Sequence, residues 1–255
     1  MQLKVSAISD RGKLRAGNED NIFVNGVSLP EVHTETYSVA KQFSTLGKPL
    51  FAVFDGMGGY EAGERASFLA AAATDRLAKP AFLRSKNLLP KICEAANQAV
   101  CQEMKLHKGT RMGTTAAMLL FSGSQYFLCN VGDSPIFLMR EGTLLELSKE
   151  HTERAVYEAV TGKKSEPGRK FRLTQNLGIA SEEVMLDPYY TEGALQIGDT
   201  FLICSDGVTD MLDQEQIAWI LKRRDVSSMA ETLWKSAMEA GGKDNITAIV
   251  IRCCA

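Results

Sequence analysis

Apolar residues fall along the chain in two kinds of run. Short runs rich in β-branched and aromatic residues predict strands over Leu3–Ile8, Asn21–Val24, Leu50–Phe54, Thr115–Phe121, Gln125–Val131, Ile136–Arg140, Leu144–Leu147, Thr200–Cys204 and Ile246–Arg252. Longer stretches with helical spacing predict helices. The first covers Ala62–Ala78, where Ala66, Leu69, Ala73 and Leu77 share one face and Pro80 follows the end. Leu88–His107 carries Pro90 near its first turn. Gln214–Arg223 follows Asp213, a good N-cap, and Ser227–Ala240 closes at Gly241-Gly242. The apolar stripes on these helices read as core faces.

The strands come in consecutive groups with helices paired between them. That order predicts an α+β fold of mainly antiparallel sheets flanked by helices, not a doubly wound parallel sheet. No linker-like stretch, low-complexity tract or short-period repeat divides the chain, so residues 1–255 are expected to form a single domain. Two segments resist assignment. Val27–Lys48 reads as a long loop or insertion. Glu150–Arg172 is polar and holds Gly162-Lys163-Lys164 and Pro167-Gly168, and reads as a mobile surface flap suited to substrate choice.

Composition narrows the functional classes. With 45% hydrophobic residues, the 255-residue chain has ample material for a core. Lys+Arg 29 against Asp+Glu 31 gives a net charge of -2, which argues against nucleic acid or a membrane surface as partner. No apolar run approaches the ~18 residues that cross a bilayer. The start, Met1–Ile8, lacks the apolar segment of a secretory signal, so a cytoplasmic location is expected. Cys93, Cys101, Cys129, Cys204, Cys253 and Cys254 include no Cys-x-x-Cys pair and read as reduced, buried thiols. The histidines are His33, His107 and His151. His33 reads as a loop residue, His107 as a surface residue at a helix end, and Trp219 and Trp234 as packing residues. Asn245-Ile246-Thr247 has the glycosylation pattern, which is set aside because no signal peptide accompanies it.

With so few histidines, metal chemistry would have to use carboxylates, and these follow a pattern. Apolar strands run straight into Asp55-Gly56, Gly132-Asp133 and Asp206-Gly207, while Glu19-Asp20 and Asp244 stand just before strands. In antiparallel sheets the C-terminal end of one strand lies beside the N-terminal end of its neighbour, so all these groups can meet on one edge. One Asp-Gly after a strand is ordinary turn chemistry; the repeated relation is harder to assign to turns. Clustered carboxylates repel and must be protonated or neutralised. All-oxygen ligation suits Mg²⁺ or Mn²⁺ rather than zinc.

Read in order, the motifs form a set. They are Ser9-Asp10-Arg11-Gly12 with Arg15-Ala16-Gly17-Asn18-Glu19-Asp20; Phe54-Asp55-Gly56-Met57-Gly58-Gly59; Gly113-Thr114-Thr115; and Asn130-Val131-Gly132-Asp133-Ser134. Then come Leu147-Ser148 with His151, Leu173-Thr174-Gln175 with Leu177-Gly178, Ser205-Asp206-Gly207 with Asp210, and Asp244-Asn245-Ile246-Thr247. This ordered set resembles the metal-dependent protein phosphatases of type 2C, in their bacterial form, over essentially the whole chain. The resemblance implies a four-layer sandwich of two mainly antiparallel β-sheets flanked by helices. It implies hydrolysis of phosphoserine and phosphothreonine in proteins, in signalling opposite a cognate serine/threonine kinase. The implied cofactors are two Mn²⁺ or Mg²⁺ ions, with a third, weaker one.

The implied roles fall on particular residues. Asp55 resembles the carboxylate that bridges the two ions, and the Gly56 carbonyl a ligand of one of them. Asp206 and Asp244 resemble ligands of the other ion, and Asp133 a ligand of the third. Glu19 and Asp20 resemble residues that hold metal-bound waters, and Arg15 the side chain that grips the phosphate. The sequence departs from the family pattern at Met57, where many members carry His, at Pro135, where Arg is usual, and at Leu147-Ser148-Lys149-Glu150-His151. Two other readings compete. A binding module on the same fold would be expected to have lost a core carboxylate, yet Asp55, Asp206 and Asp244 are all present. An aspartyl-phosphate hydrolase using Asp55 as nucleophile generally needs a second acid two residues on, where Met57 stands.

Overall fold

The computed structural model describes residues 1–58, 62–107, 110–164, 171–180, 185–223 and 225–255. Strand β1 (Gln2–Asp10) lies antiparallel between β13 (Ile246–Cys254) and β3 (Tyr37–Ser44). Beyond β13 follow β12 (Thr200–Cys204), β9 (Ile136–Arg140) and β10 (Thr143–Glu146), each antiparallel to its neighbour, to give a first sheet. A second sheet runs β11 (Tyr189–Ala194), β8 (Gln125–Val131), β7 (Ala116–Ser122), β4 (Leu50–Phe54), β2 (Asn21–Val24), again antiparallel throughout. A short ribbon pairs β5 (Gly56–Gly58) with β6 (Met112–Thr114).

The two sheets pack face to face. Successive side chains of a strand point to opposite faces, so each central strand feeds two cores. Phe51 and Val53 of β4 and Ile249 and Ile251 of β13 enter the core between the sheets. Leu50, Ala52 and Phe54 turn outward under α1 (Gly63–Leu77) and α2 (Leu88–Leu106). Ile246, Ala248 and Val250 turn outward under α5 (Gln214–Leu221) and α6 (Met229–Glu239). The result is the expected four layers, helix–sheet–sheet–helix. Burial on both faces explains why β4 reads as an unbroken apolar run and why β13 holds the apolar stretch Ala248–Ile251. Phe51, Phe121, Phe201 and Tyr126 meet edge-to-face along the inner core, with ring centroids 5.1–5.9 Å apart.

Several expectations are corrected. Val27–Lys48 is not all loop: it contains β3, whose Tyr37, Val39 and Phe43 pack on the inner core while Lys41 breaks the alternation. This is an edge strand, where a charged residue is common. Glu150–Arg172 contains a regular helix, α3 (Glu153–Thr161), with Thr152 capping the Ala155 N–H and Gly162 closing it at φ 66°. Residues 165–170 of that segment, including Pro167-Gly168, lie outside the described residues. Trp219 is 62% exposed and stacks under the Arg223 guanidinium at 4.4 Å rather than packing in the core, whereas Trp234 does pack on the α5–α6 layer. Cys101 and Cys254 are partly exposed; the other cysteines are buried, and all six are free thiols. Among the described residues no helix is long and apolar enough to cross a membrane.

Candidate active site

Strand register gathers the acidic residues. In the second sheet Asn21, the first residue of β2, faces Phe54, the last of β4, and Ala116 at the start of β7 faces Val131 at the end of β8. In the first sheet Asp10 at the end of β1 faces Ile246 at the start of β13, and Cys204 at the end of β12 faces Ala248. Glu19, Asp20, Asp55, Asp133, Asp206 and Asp244 therefore leave the strands at one edge of the sandwich. Glu19, Asp55, Gly56, Asp133, Asp206 and Asp244 line a cavity of about 770 Å³ together with Arg15 and Met57. Asp20 does not reach the cavity and is only 1% exposed. A four-residue helix, α4 (Asp206–Thr209), carries Asp206.

A polar scaffold fixes these loops. Asn245 Oδ1 accepts the Glu19 N–H at 2.8 Å, while its Nδ2 donates to the Arg11 and Gly17 carbonyls at 3.0 and 2.9 Å. Asn18 Oδ1 accepts the Asp20 N–H, and Asn18 Nδ2 donates to Ser9 Oγ, which meets Thr247 Oγ1 at 2.9 Å. Thr115 Oγ1 accepts the Asp55 N–H at 3.0 Å and contacts Ser134 Oγ at 2.6 Å. His151 Nδ1 accepts the Gly132 N–H beside Asp133. Two glycines permit close backbone approach. A Cβ on Gly56 would lie 2.3 Å from the Glu19 carbonyl oxygen, and one on Gly207 would lie 2.0 Å from that of Asn245.

The electrostatics are those of crowded acids. Burial, then the charges of Asp20, Asp206, Asp133 and Asp244, hold the Asp55 carboxyl well above the usual range. Burial and then Asp133, Asp210 and Asp244 push Asp206 up to about 8. Burial pushes Asp20 up to about 7, against hydroxyl contacts from Thr247 and Ser205, and Asp133 up to about 6, with Glu150 and Asp210 adding to it. Glu19 is raised by burial and by Glu64. Asp20 Oδ2 is buried without a hydrogen-bond partner, a cost that a cation or a cation-bound water would relieve. Among the described residues no three His, Cys, Asp or Glu side chains already converge as a ligand set. Asp244 Oδ2 is turned instead to Arg15 Nη2 at 2.6 Å, a hydrogen bond that raises the Arg15 pKa. The donors are all oxygen and anionic, which fits a hard divalent ion completed by waters.

Every residue expected at the site therefore reaches this edge. Asn18, Thr115, Ser134, Asp210 and Asn245 also belong to it, though sequence reasoning gave them no role. Asn18, Ser134 and Asn245 each stand beside an acid within a motif and Asp210 lies one turn beyond Asp206, whereas Thr115 belongs to Gly113-Thr114-Thr115, which holds no acid to mark it. Arg111, Arg172 and Asn176 line the same cavity, and nothing in the sequence marked them.

Comparison with known proteins agrees with this geometry. A family model described as "Protein phosphatase 2C" matches residues 40–250. The serine/threonine protein phosphatase PstP of Mycobacterium tuberculosis is 31% identical over 254 residues, covering 97% of this chain but 44% of the relative, so the chain spans under half the length of that relative. The serine/threonine phosphatase stp of Listeria welshimeri is 32% identical over 265 residues, covering 95% of this chain and 93% of the relative. A crystal structure of the Mycobacterium tuberculosis phosphatase PstP/Ppp superposes with a TM-score of 0.82 at 30% identity, covering 100% of both chains. A structure of the PstP catalytic domain in complex with two manganese ions gives 0.80 at 29% identity, again over 100% of both. With the matched model spanning most of its length and the acidic edge built as the motifs require, the chain belongs to the protein phosphatase 2C family.

Proposed function

We propose that the protein is a serine/threonine protein phosphatase that uses Mn²⁺ or Mg²⁺ to hydrolyse phosphoserine and phosphothreonine in proteins. The observation that carries this reading is the convergence of Asp55, Asp206, Asp244, Asp133 and Glu19 on one cavity with Arg15 at its wall. Carboxylates this crowded, with the pKa values of Asp55 and Asp206 held up by burial and by neighbouring acids, are a costly arrangement without a cation. When bound, a pair of divalent ions activates a water for attack and offsets phosphate charge. Asp55, Asp206, Asp244 and the Gly56 carbonyl are read as ligands of that pair, and Asp133 as a ligand of a third ion. Glu19 and Asp20 are read as acceptors that orient water.

The chain's own groups then do the following. Arg15 presents a planar fork that matches two phosphate oxygens, and its contact with Asp244 aims it along the cavity wall. The Asn245 and Thr115 hydrogen bonds keep the Glu19 and Asp55 backbones in fixed register, so the acids need little rearrangement during reaction. Met57 lines the cavity where many relatives have histidine, and a thioether has no proton to donate to a leaving alkoxide. A cytoplasmic setting with an opposing serine/threonine kinase completes the proposal; the six free thiols suit a reducing compartment.

The test is hydrolysis of a phosphothreonine peptide with Mn²⁺, after chelation, and with Asp206→Asn. Turnover should vanish with chelator, return with Mn²⁺ or Mg²⁺, and fall by at least about 10²-fold in the variant, in line with loss of an electrostatic stabiliser. Full turnover in metal-free buffer would refute the reading. A phosphoenzyme trapped on Asp55 would favour the covalent alternative instead.

A further inference from the structure

The acids and Arg15 account for only part of the cavity wall. The remainder has another character. Met57, Met104, Met112, Phe171 and Ile179 give it an apolar lining, and Arg111 and Arg172 border it with exposed side chains. Arg15, Arg65, Arg140 and Arg154 each pair with a carboxylate. Arg111 and Arg172 form no ion pair among the described residues, although the chain carries net negative charge. Their backbones are anchored. The Arg172 carbonyl accepts the Glu153 N–H at 2.9 Å, and Arg111 leads directly into β6, whose Thr114 exchanges two hydrogen bonds with Leu177 at 3.0 and 2.8 Å. Fixed backbones carrying uncommitted guanidinium groups are suited to meet an incoming anion.

We propose that Arg111 and Arg172 form a subsite for a substrate carboxylate. The substrate class is then a phosphoserine or phosphothreonine peptide with an acidic side chain a few residues from the phosphorylated one and an apolar residue between them. The spacing follows from the strand. The Thr115 N–H donates to the Asp55 carbonyl at 2.9 Å, which places Thr115 beside the reacting end. Arg111 lies four residues back along the same chain, about 13 Å at ~3.3 Å per residue. An extended peptide covers that distance in about four residues. A substrate acid is repelled by the carboxylate end of the cavity and attracted to the arginine border, so the two ends orient the peptide. The apolar lining between them takes the intervening side chain. This proposal rests on the phosphatase reading, and its test separates the two.

Two pairs of phosphothreonine peptides would be compared, each pair differing only by Glu against Gln at the fourth position on one side of the phosphothreonine. In one pair the Glu peptide should have a kcat/KM about tenfold higher, expressed mainly in KM, which corresponds to about 1.4 kcal/mol. The Glu/Gln ratio should fall to near one in Arg111→Gln/Arg172→Gln and persist in Arg111→Lys/Arg172→Lys. It should also shrink in the unsubstituted protein as salt rises from about 0.05 to about 0.5 M, because exposed charges are screened. That arm keeps the proposal open to refutation if the Gln variant fails to fold. A ratio near one in both pairs, or a ratio indifferent to salt and to the Gln variant, overturns the subsite. Fluorescence anisotropy of the same peptides reads binding apart from turnover. Tenfold tighter binding of a Glu peptide without hydrolysis would keep the subsite and refute the phosphatase, and equal binding would refute the subsite.

Discussion

Asn245 offers a sharp test of how the acidic edge is held. The residue is 5% exposed, and its side chain serves three backbone groups: the Glu19 N–H at 2.8 Å, the Arg11 carbonyl at 3.0 Å and the Gly17 carbonyl at 2.9 Å. Asn245→Ala leaves all three without that partner. A buried polar group left unsatisfied costs ~1–3 kcal/mol. The partners are only partly buried, so about 1 kcal/mol each is appropriate, or about 3 kcal/mol in total. For a domain of this size ~1 kcal/mol moves Tm by ~2–4 °C, so a fall of about 6–12 °C is expected. Activity should fall too, because the released loop carries Arg15, Glu19 and Asp20, and a displacement of ~1 Å at a reacting site can cost ~10²-fold. Asn245→Asp separates the parts. It keeps the acceptor for the Glu19 N–H, removes both donors and adds a charge beside Asp244, so it should destabilise more as pH rises. Thermal melts by circular dichroism and kcat/KM on a phosphothreonine peptide are the assays. A Tm within about 2 °C of the unsubstituted protein with unchanged kcat/KM would refute the reasoning, since it would mean the three bonds bear neither on stability nor on loop position.

Other outcomes follow from the same structure. The raised Asp20, Asp133 and Asp206 bind more protons in the folded than in the unfolded chain between about pH 4 and their folded values of about 7, 6 and 8. Their contribution to stability is therefore present at low pH and lost as pH rises through those values. Chelated protein should melt at lower temperature at pH 8 than at pH 5.5, with Mn²⁺ restoring more at the higher pH; a flat or rising Tm for chelated protein would oppose this. Gly207→Ala should be severely destabilised because its Cβ would lie 2.0 Å from the Asn245 carbonyl oxygen, while Gly17→Ala meets nothing within 4 Å and should leave Tm almost unchanged. Comparing the two by melting and soluble yield tests the close approach of α4 to β13. Met57→His should raise phosphopeptide hydrolysis relative to aryl phosphate hydrolysis, because an alkoxide needs a proton on leaving far more than an aryl oxide does and a general acid is worth ~10²–10⁴-fold. An unmoved ratio in folded, metal-loaded variant would place residue 57 away from the leaving group.

The sequence by itself determined the layers and the placement of the acids. Strands buried on both faces, such as Leu50–Phe54 and Thr200–Cys204, had to be continuous apolar runs, so their limits were legible to the residue. Antiparallel pairing alone sent Asp55, Asp133 and Asp206 to the edge where Glu19, Asp20 and Asp244 begin their strands. Edge elements were less legible. The strand Tyr37–Ser44 only half-buries one row of side chains, with Lys41 in it, and α3 is short and buries no residue at all, so neither stands out in the sequence as a core element. The glycine-rich ribbon of Gly56–Gly58 and Met112–Thr114 has no side-chain pattern to read, because its pairing is made by backbone. What only the tertiary structure decided was which distant groups meet. Asn245 holds Glu19 across 226 residues, Arg15 meets Asp244 across 229, and Arg111 and Arg172 border one cavity from separate loops. Local propensity is set by near neighbours along the chain, whereas these contacts are set by the register and packing of two sheets, and that information exists only once the sheets have closed on each other.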